Sequence, residues 1–296
     1  MKLKKLVVLV LVTTMIFSLS ACSKKQENVD QKQTNKVEQN EDIEKKINDL
    51  VEKENEILEK HKDLWEKAFE KANKDDVETS KEMAYDEFLE SLVEKIKADL
   101  KDEEVKSLKE DIEEIKTIEK DLAPLKGKME KNMENKIKEN LENKFPEFKA
   151  KDLDGNEVTS DTFKDHSITL VNFWFNGCAP CVGELQELQK LNDSIKEKGG
   201  QVIGINTECM DNNENSIKEA KKIAKDQGIT YPNLILDSES PAGKFALKIM
   251  AFPTSILVDR NANIIGDPIV AGVDRKDVLE EVQGRIDQII KNDKNK

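Results

Sequence analysis

Between Ile168 and Phe175 the chain reads Ile-Thr-Leu-Val-Asn-Phe-Trp-Phe, and three residues later it presents Cys178-Ala179-Pro180-Cys181. A short run of β-branched and aromatic residues is the kind of strand that a parallel sheet buries on both faces. Val182, Leu185, Leu188 and Leu191 follow on one face of a helix. The two cysteines therefore stand where a buried strand gives way to a helix. The unpaired N–H groups and the dipole at a helix N-terminus favour a thiolate. Cys178 is expected at or beside the N-cap and exposed, and Cys181 one turn in and more buried, with the two sulfurs close enough to bridge.

A CxxC pair has other readings. Half of a zinc knuckle needs about four ligands in all, and beyond this pair the chain offers Cys209 and the distant His61 and His166. A purely structural disulfide across two residues closes a very small loop and constrains the unfolded chain little. With two histidines in the whole chain, multi-His metal sites and Ser-His-Asp hydrolases are poor fits. No metal site is expected. The net charge of −13 argues against a nucleic-acid partner, because phosphate binding needs a basic surface.

From Phe145 onward strands and helices alternate. Gln201–Asn206 reads as a second strand, 214–227 as a helix, 231–236 as a third strand and 252–259 as a fourth. Asp259–Asn263 reads as a hairpin turn, with Ile264 onward returning antiparallel, and 274–291 closes as an amphipathic helix. Alternation of this kind gives an α/β sandwich.

At these residues the chain resembles the TlpA/ResA-like branch of the thioredoxin superfamily. The residues that carry the likeness are Val171-Asn-Phe-Trp-Phe-Asn-Gly-Cys-Ala-Pro-Cys181 and Phe252-Pro253-Thr254. Phe145-Pro-Glu-Phe, Asp154–Val158 and Phe163 are similar to the leading hairpin that this branch shares with peroxiredoxins. The resemblance implies a thioredoxin-like domain over 145–296, with a central mixed sheet, flanking helices and an N-terminal hairpin. It implies that Cys178 attacks and Cys181 resolves, with the redox-active disulfide serving in place of any cofactor. Pro253 matches the family's cis-proline, and Trp174, Phe252, Pro253 and Thr254 are the implied substrate contacts. Glu184 matches an acidic residue that tunes the thiols and relays the proton of Cys181; it also reads as an ordinary exposed helix Glu.

Two positions depart from the family pattern. Asn172 stands where cytoplasmic thioredoxins carry a buried Asp, and Gly177 stands where Trp usually precedes the first Cys. The Gly is expected to leave the nucleophile less covered. Peroxiredoxins set their peroxidatic Cys in Thr-x-x-Cys, so Asn-Gly-Cys with a CxxC does not suggest a peroxidase. Cys209 lies three residues past a strand expected to run parallel to 168–175, hence at the same sheet edge as Cys178. It reads either as a partly buried, unpaired thiol or as an auxiliary thiol that forms a mixed or alternative disulfide.

The N-terminus is an address. Lys2, Lys4 and Lys5 precede an apolar run from Leu6 to Leu19, about 14 residues, which is short for a span and suited to a signal peptide. Leu19-Ser-Ala-Cys22 resembles the lipobox of bacterial lipoproteins and implies cleavage after residue 21, with lipid on Cys22. Residues 22–40 are polar and read as a lipidated flexible tether, spanning on the order of 25 Å. The expected location is the outer face of the bacterial cytoplasmic membrane.

Residues 41–143 are expected to be a charged α-helical bundle or hairpin. Four apolar stripes recur at helical spacing, at 43–69, 85–100, 105–122 and, more weakly, 129–141. The third is expected to stop before Pro124 and Gly127, and Asn73–Asp76 reads as a turn. The stripes serve either as a stabilising core or as a docking module, and His61 on the first helix carries no expected function.

The resemblance tilts the reading toward a reductase of disulfides in exported proteins, fed by a membrane electron donor. An oxidase that forms disulfides in secreted proteins and a non-catalytic lipoprotein scaffold stand as alternatives. Potentials in this fold run from about −270 mV for reductants to about −120 mV for oxidants.

Overall fold

The computed structural model describes residues 31–72 and 83–293. The expected signal peptide, Cys22, the first part of the tether and the turn at 73–76 lie outside the described residues. The chain divides into two compact units, residues 1–129 and 130–296.

The first unit is helical. Its elements are α1 (Gln31–Lys60), α2 (Lys62–Glu70), α3 (Tyr85–Ile96) and the start of α4 (Asp102–Asn140). Ile57, Trp65, Ala68, Phe88, Leu89, Leu92, Leu108, Ile112 and Ile115 interlock in one apolar core. The end of the first stripe and most of the second and third are therefore core. His61 breaks the run between α1 and α2 with a non-helical backbone. Its Nδ1 and the Trp65 indole N–H both meet the buried carboxylate of Asp111, at 2.8 and 2.9 Å. That network ties the α1–α2 corner to α4.

Two expectations need correction here. Helix α1 begins at Gln31, inside the segment 22–40 read as tether. Gln, Lys and Glu have good helix propensity and extend a helix nucleated further on. Helix α4 runs through Pro124 and Gly127 instead of stopping before them. Proline removes one bond to the carbonyl four residues back. Pro124 lies on an exposed face, where water can take the freed Lys120 carbonyl.

The second unit is an α/β sandwich. Its strands are β1 (Lys149–Asp152), β2 (Glu157–Thr159), β3 (Ile168–Trp174), β4 (Gly200–Asn206), β5 (Asn233–Ile235) and β6 (Thr254–Asp259). They order as β2-β1-β5-β4-β3-β6. Strands β3, β4 and β5 run parallel, whereas β6 and the β1–β2 hairpin are antiparallel to their neighbours. Helices α5 (Ala179–Lys196), α6 (Glu214–Asp226), α7 (Pro241–Ala246) and α8 (Lys276–Asp293) complete the unit.

Alternation along β3 divides the core. Ile168, Leu170 and Trp174 join Leu185, Leu188 and Leu191 of α5 and Val282, Ile286 and Ile290 of α8. On the opposite face, Phe173 meets Phe245 of α7, which meets Phe145; Phe145, Phe148 and Phe163 pack edge to face. The return after the Asp259 turn is reduced to bridges at Val258–Ile264 and Ser255–Ile269. Gly266-Asp267-Pro268 interrupts it, and proline donates nothing to a ladder.

Replacing Pro124 with Ala restores the missing donor on an exposed helix face and is expected to stabilise the chain by about 1–3 kcal/mol. Urea unfolding measures it; an unchanged midpoint would mean that water already satisfies the Lys120 carbonyl as well as backbone does.

Candidate active site

The end of β3 is pinned before the chain reaches the cysteines. The Trp174 indole N–H donates to Asn233 Oδ1 at 2.9 Å. Gly204 lies between them in the sheet, paired with Asn172 on one side and Asn233 on the other. A Cβ at Gly204 would fall 1.9 Å from Asn233 Oδ1, so only glycine leaves the Asn233 side chain its path to Trp174. Beyond the strand, Glu208 accepts from the Asn176 backbone N–H at 2.8 Å. The Asn176 amide bonds the Ser216 carbonyl and accepts from buried Asn206. The loop into the helix is thus held from the parallel strand beside it.

Cys178 is the N-cap of α5. It is disulfide-bonded to Cys181, with Cα atoms 5.3 Å apart. Its sulfur accepts the Cys181 N–H at 3.2 Å, a contact that supports negative charge on sulfur once the bond is reduced. The expected exposure of Cys178 is corrected: it is 6 % exposed, and Cys181 is fully buried. Gly177 does not open the site, because Phe175 and Phe252 form an edge-to-face pair with centroids 5.2 Å apart and pack against the cluster that holds both cysteines. The peptide between Phe252 and Pro253 is cis.

Glu184 stands one helical turn past Cys181 and is fully buried, so the exposed-helix reading is set aside. Asn172 Nδ2 donates to its Oε1 and the Val273 N–H to its Oε2, each at 2.8 Å. Asn172 Nδ2 also reaches Ser255 Oγ, its cross-strand neighbour, at 3.1 Å. Burial raises the Glu184 carboxyl to about 8, with the nearby Asp274 adding to the rise and the two donors opposing it. That value lies close to the ordinary range of a thiol, where proton transfer between the two groups costs little. Asn172 therefore works as a donor to the acid instead of being the acid.

Two implied substrate contacts are corrected. Trp174 and Thr254 are fully buried: β3 is covered on both faces, and the Thr254 hydroxyl donates to the Ala251 carbonyl at 2.8 Å. Both support the site from beneath. Phe252 is the partly open residue of that loop. Cys209 lies in the turn after β4, within the same apolar cluster as the pair. It is free and buried, and burial with Glu208 pushes its thiol up to about 12. A thiol held protonated and away from solvent is a poor nucleophile, which favours the reading of Cys209 as a packed, unpaired thiol. Among the described residues no group of three or more His, Cys, Asp or Glu is placed to hold a metal ion.

Residues 141–266 match the AhpC/TSA family. That stretch is less than half of the chain, and the unit that contains it has a thioredoxin-like fold. The matched stretch contains both cysteines, Glu184 and Pro253, and ends before Gly272, Val273 and α8. A thiol-disulfide oxidoreductase ResA of Bacillus thuringiensis subsp. konkukian (strain 97-27) is 29% identical over 141 residues, which are 48% of this chain and 75% of that protein. The thioredoxin-like protein YneN of Bacillus subtilis (strain 168) is 25% identical over 137 residues, 46% of this chain and 75% of that one. The thioredoxin domain of a Bacteroides vulgatus thiol-disulfide oxidoreductase aligns over 47% of this chain and 94% of its own at 28% identity, with a TM-score of 0.39.

Sequence reasoning found both cysteines, Glu184 and Pro253, and flagged Asn172. It missed Ser255, Val273, Asn176, Asn206, Asn233 and Gly204, which brace the cysteines and Glu184. Each comes from a strand or loop remote in sequence and carries no motif.

The raised carboxyl of Glu184 sets the sign of a pH effect. A carboxyl whose folded value lies above its unfolded one contributes stability that is full below about 4.5 and is lost as pH rises through about 8. Glu184→Gln is expected to flatten that loss between pH 6 and 9 in the oxidised protein. It carries a constant cost of about 1 kcal/mol, because the amide cannot accept from both Asn172 and Val273. Urea unfolding at the two pH values checks it; parallel losses in both proteins would contradict the assignment.

Proposed function

We propose that the protein is a lipid-anchored, extracytoplasmic thiol–disulfide oxidoreductase that reduces disulfides in exported proteins. The observation that carries the reading is the Cys178–Cys181 disulfide at the N-cap of α5, with the buried Glu184 one turn beyond it. The named relatives, thiol-disulfide oxidoreductases of the ResA type, support the chemistry. Lys2, Lys4 and Lys5, the apolar run and Leu19-Ser-Ala-Cys22 support anchoring through lipid on Cys22. Among the described residues no helix is long and apolar enough to cross a membrane.

In the reduced protein the Cys178 thiolate attacks one sulfur of a target disulfide, and the other target sulfur leaves as a thiolate. Glu184, as carboxylate, takes the proton of the Cys181 thiol. The Cys181 thiolate then attacks Cys178 Sγ, closing the Cys178–Cys181 bond and releasing the second target thiolate, which takes a proton from water. Two electrons pass from the protein dithiol to the target. A membrane dithiol donor returns them, and the proton held on Glu184 goes back to Cys181. The exchange needs no organic cofactor. Phe252, beside the cis peptide, offers its backbone to an extended target segment, with Phe175 and Phe252 as its apolar floor.

The reduction potential of Cys178–Cys181, equilibrated against dithiothreitol or glutathione buffers, is expected near −270 mV, the reductant end of the range for this fold. A value near −120 mV would instead make the protein a disulfide-forming oxidase. Cys181→Ala is expected to accumulate mixed disulfides through Cys178, and Cys178→Ala none; equal trapping by both would contradict the assigned roles. Cys22→Ala is expected to move the protein from the membrane fraction to the soluble one, and retention in the membrane would refute the anchor.

A further inference from the structure

Glu184 is met by a second carboxylate. The turn between the Ser255-bridged residue Ile269 and helix α8 carries Gly272, Val273 and Asp274. Val273 supplies the N–H that Glu184 Oε2 accepts. Asp274, next in sequence and half-buried, is wedged between two glycines. A Cβ at Gly272 would lie 2.4 Å from Asp274 Oδ1 and 3.8 Å from Glu184 Oε2. A Cβ at Gly183, the residue before Glu184, would lie 3.9 Å from Asp274 Oδ2. Both carboxylates therefore converge on the space that Gly272 leaves empty, and any side chain there would push Asp274 away.

The other groups that face Glu184 bring no positive charge to it. Asn172 from β3 donates a neutral amide hydrogen and is tied to Ser255 of β6. Tyr231, from the segment before β5, is buried beside it, its hydroxyl held well above the usual range by burial and then by the Glu184 charge. On α5 itself Cys181 stands one turn before it, also buried. Arg275, beside Asp274, bonds Asp277 at 2.8 Å and Glu130 at 2.7 Å.

We propose that Asp274 is a positioning residue that makes Glu184 a stronger base toward the Cys181 thiol, and that Gly272 is bare so that the second carboxylate can approach. The inference rests on the reading of Glu184 as the proton acceptor for Cys181. When Glu184 is ionised, the neighbouring negative charge favours its taking a proton. The Cys181 S–H bond breaks, the Glu184 O–H bond forms, and the thiolate left behind is the one that attacks Cys178 Sγ. Asp274 touches no reacting atom.

The test is the titration of Glu184 in the full-length oxidised protein, followed by the carboxyl carbon signal of 13C-labelled glutamate and assigned with Glu184→Gln. Asp274→Asn and Asp274→Ser are both expected to move the midpoint acid, and Asp274→Glu to keep it near the parent's. Superimposable titrations for Asp274→Asn, Asp274→Ser and the parent would overturn the proposal, as would an alkaline shift. An Asp274 that merely caps α8 would leave the Asn midpoint unmoved, because Asn caps as well as Asp. In single-turnover resolution of a mixed disulfide at neutral pH, Asp274→Asn is expected to be roughly two- to tenfold slow, short of the roughly hundredfold loss when a general base is removed entirely. The titration requires no turnover. A protein that reduced no disulfide would sink the proposed function while leaving an acid shift in Asp274→Asn standing.

Discussion

Glu184 has no access to water, and each of its oxygens is met by one donor, Asn172 from β3 and the Val273 N–H from the turn before α8. Much of the sandwich is needed for that arrangement. Strand β3 has to carry a polar residue in the middle of its covered face, α5 has to start at Cys178 so that residue 184 faces the sheet, and the turn after Ile269 has to return over the helix. A buried carboxyl held by neutral donors stays basic, because nothing fully repays its lost hydration. The fold thereby keeps a raised, buried carboxyl one helical turn beyond a disulfide.

The sheet explains how the cysteines are presented. Parallel pairing of β3 with β4 brings Trp174 level with Asn206, so the two strand ends emerge at one edge and the loops after them can brace each other. Asn206, Asn176 and Glu208 do so with hydrogen bonds of 2.8 Å. Beneath them Trp174 is locked to Asn233 across the glycine at 204. A site on a braced strand end holds its sulfurs in place without help from the substrate, which suits exchange with varied partners.

The helical unit has a separate logic. Its core is apolar, but buried polar groups help fix how α1, α2 and α4 meet. Asp111 collects the Trp65 and His61 N–H groups. Glu54, buried on α1, is raised to about 7 by burial and by Glu119, with Lys126 opposing. Asp111 penalises alternative packings, since any slip would leave its buried carboxylate unpaired.

The sequence by itself determined the parts that are local or periodic. The strand–CxxC–helix junction follows from the run 168–175 and the spacing of Val182, Leu185 and Leu188. The helical stretches followed from their apolar stripes, and Cys178, Cys181, Glu184 and Pro253 were readable from motif positions. Helix ends were less legible: Pro124 was read as a stop, yet an exposed face lets a helix pass a proline. Tertiary structure alone decided that Trp174 and Thr254 lie within the core beneath the site, that Cys178 is buried, and that Cys209 is a buried, unpaired thiol. It also decided which groups surround Glu184. Asn172, Ser255, Val273 and Asp274 come from separate strands and turns, and they meet because pairing in the sheet and packing of α5 and α8 bring them together. Burial and the proximity of charges belong to the folded arrangement, and no residue's neighbours in sequence report them.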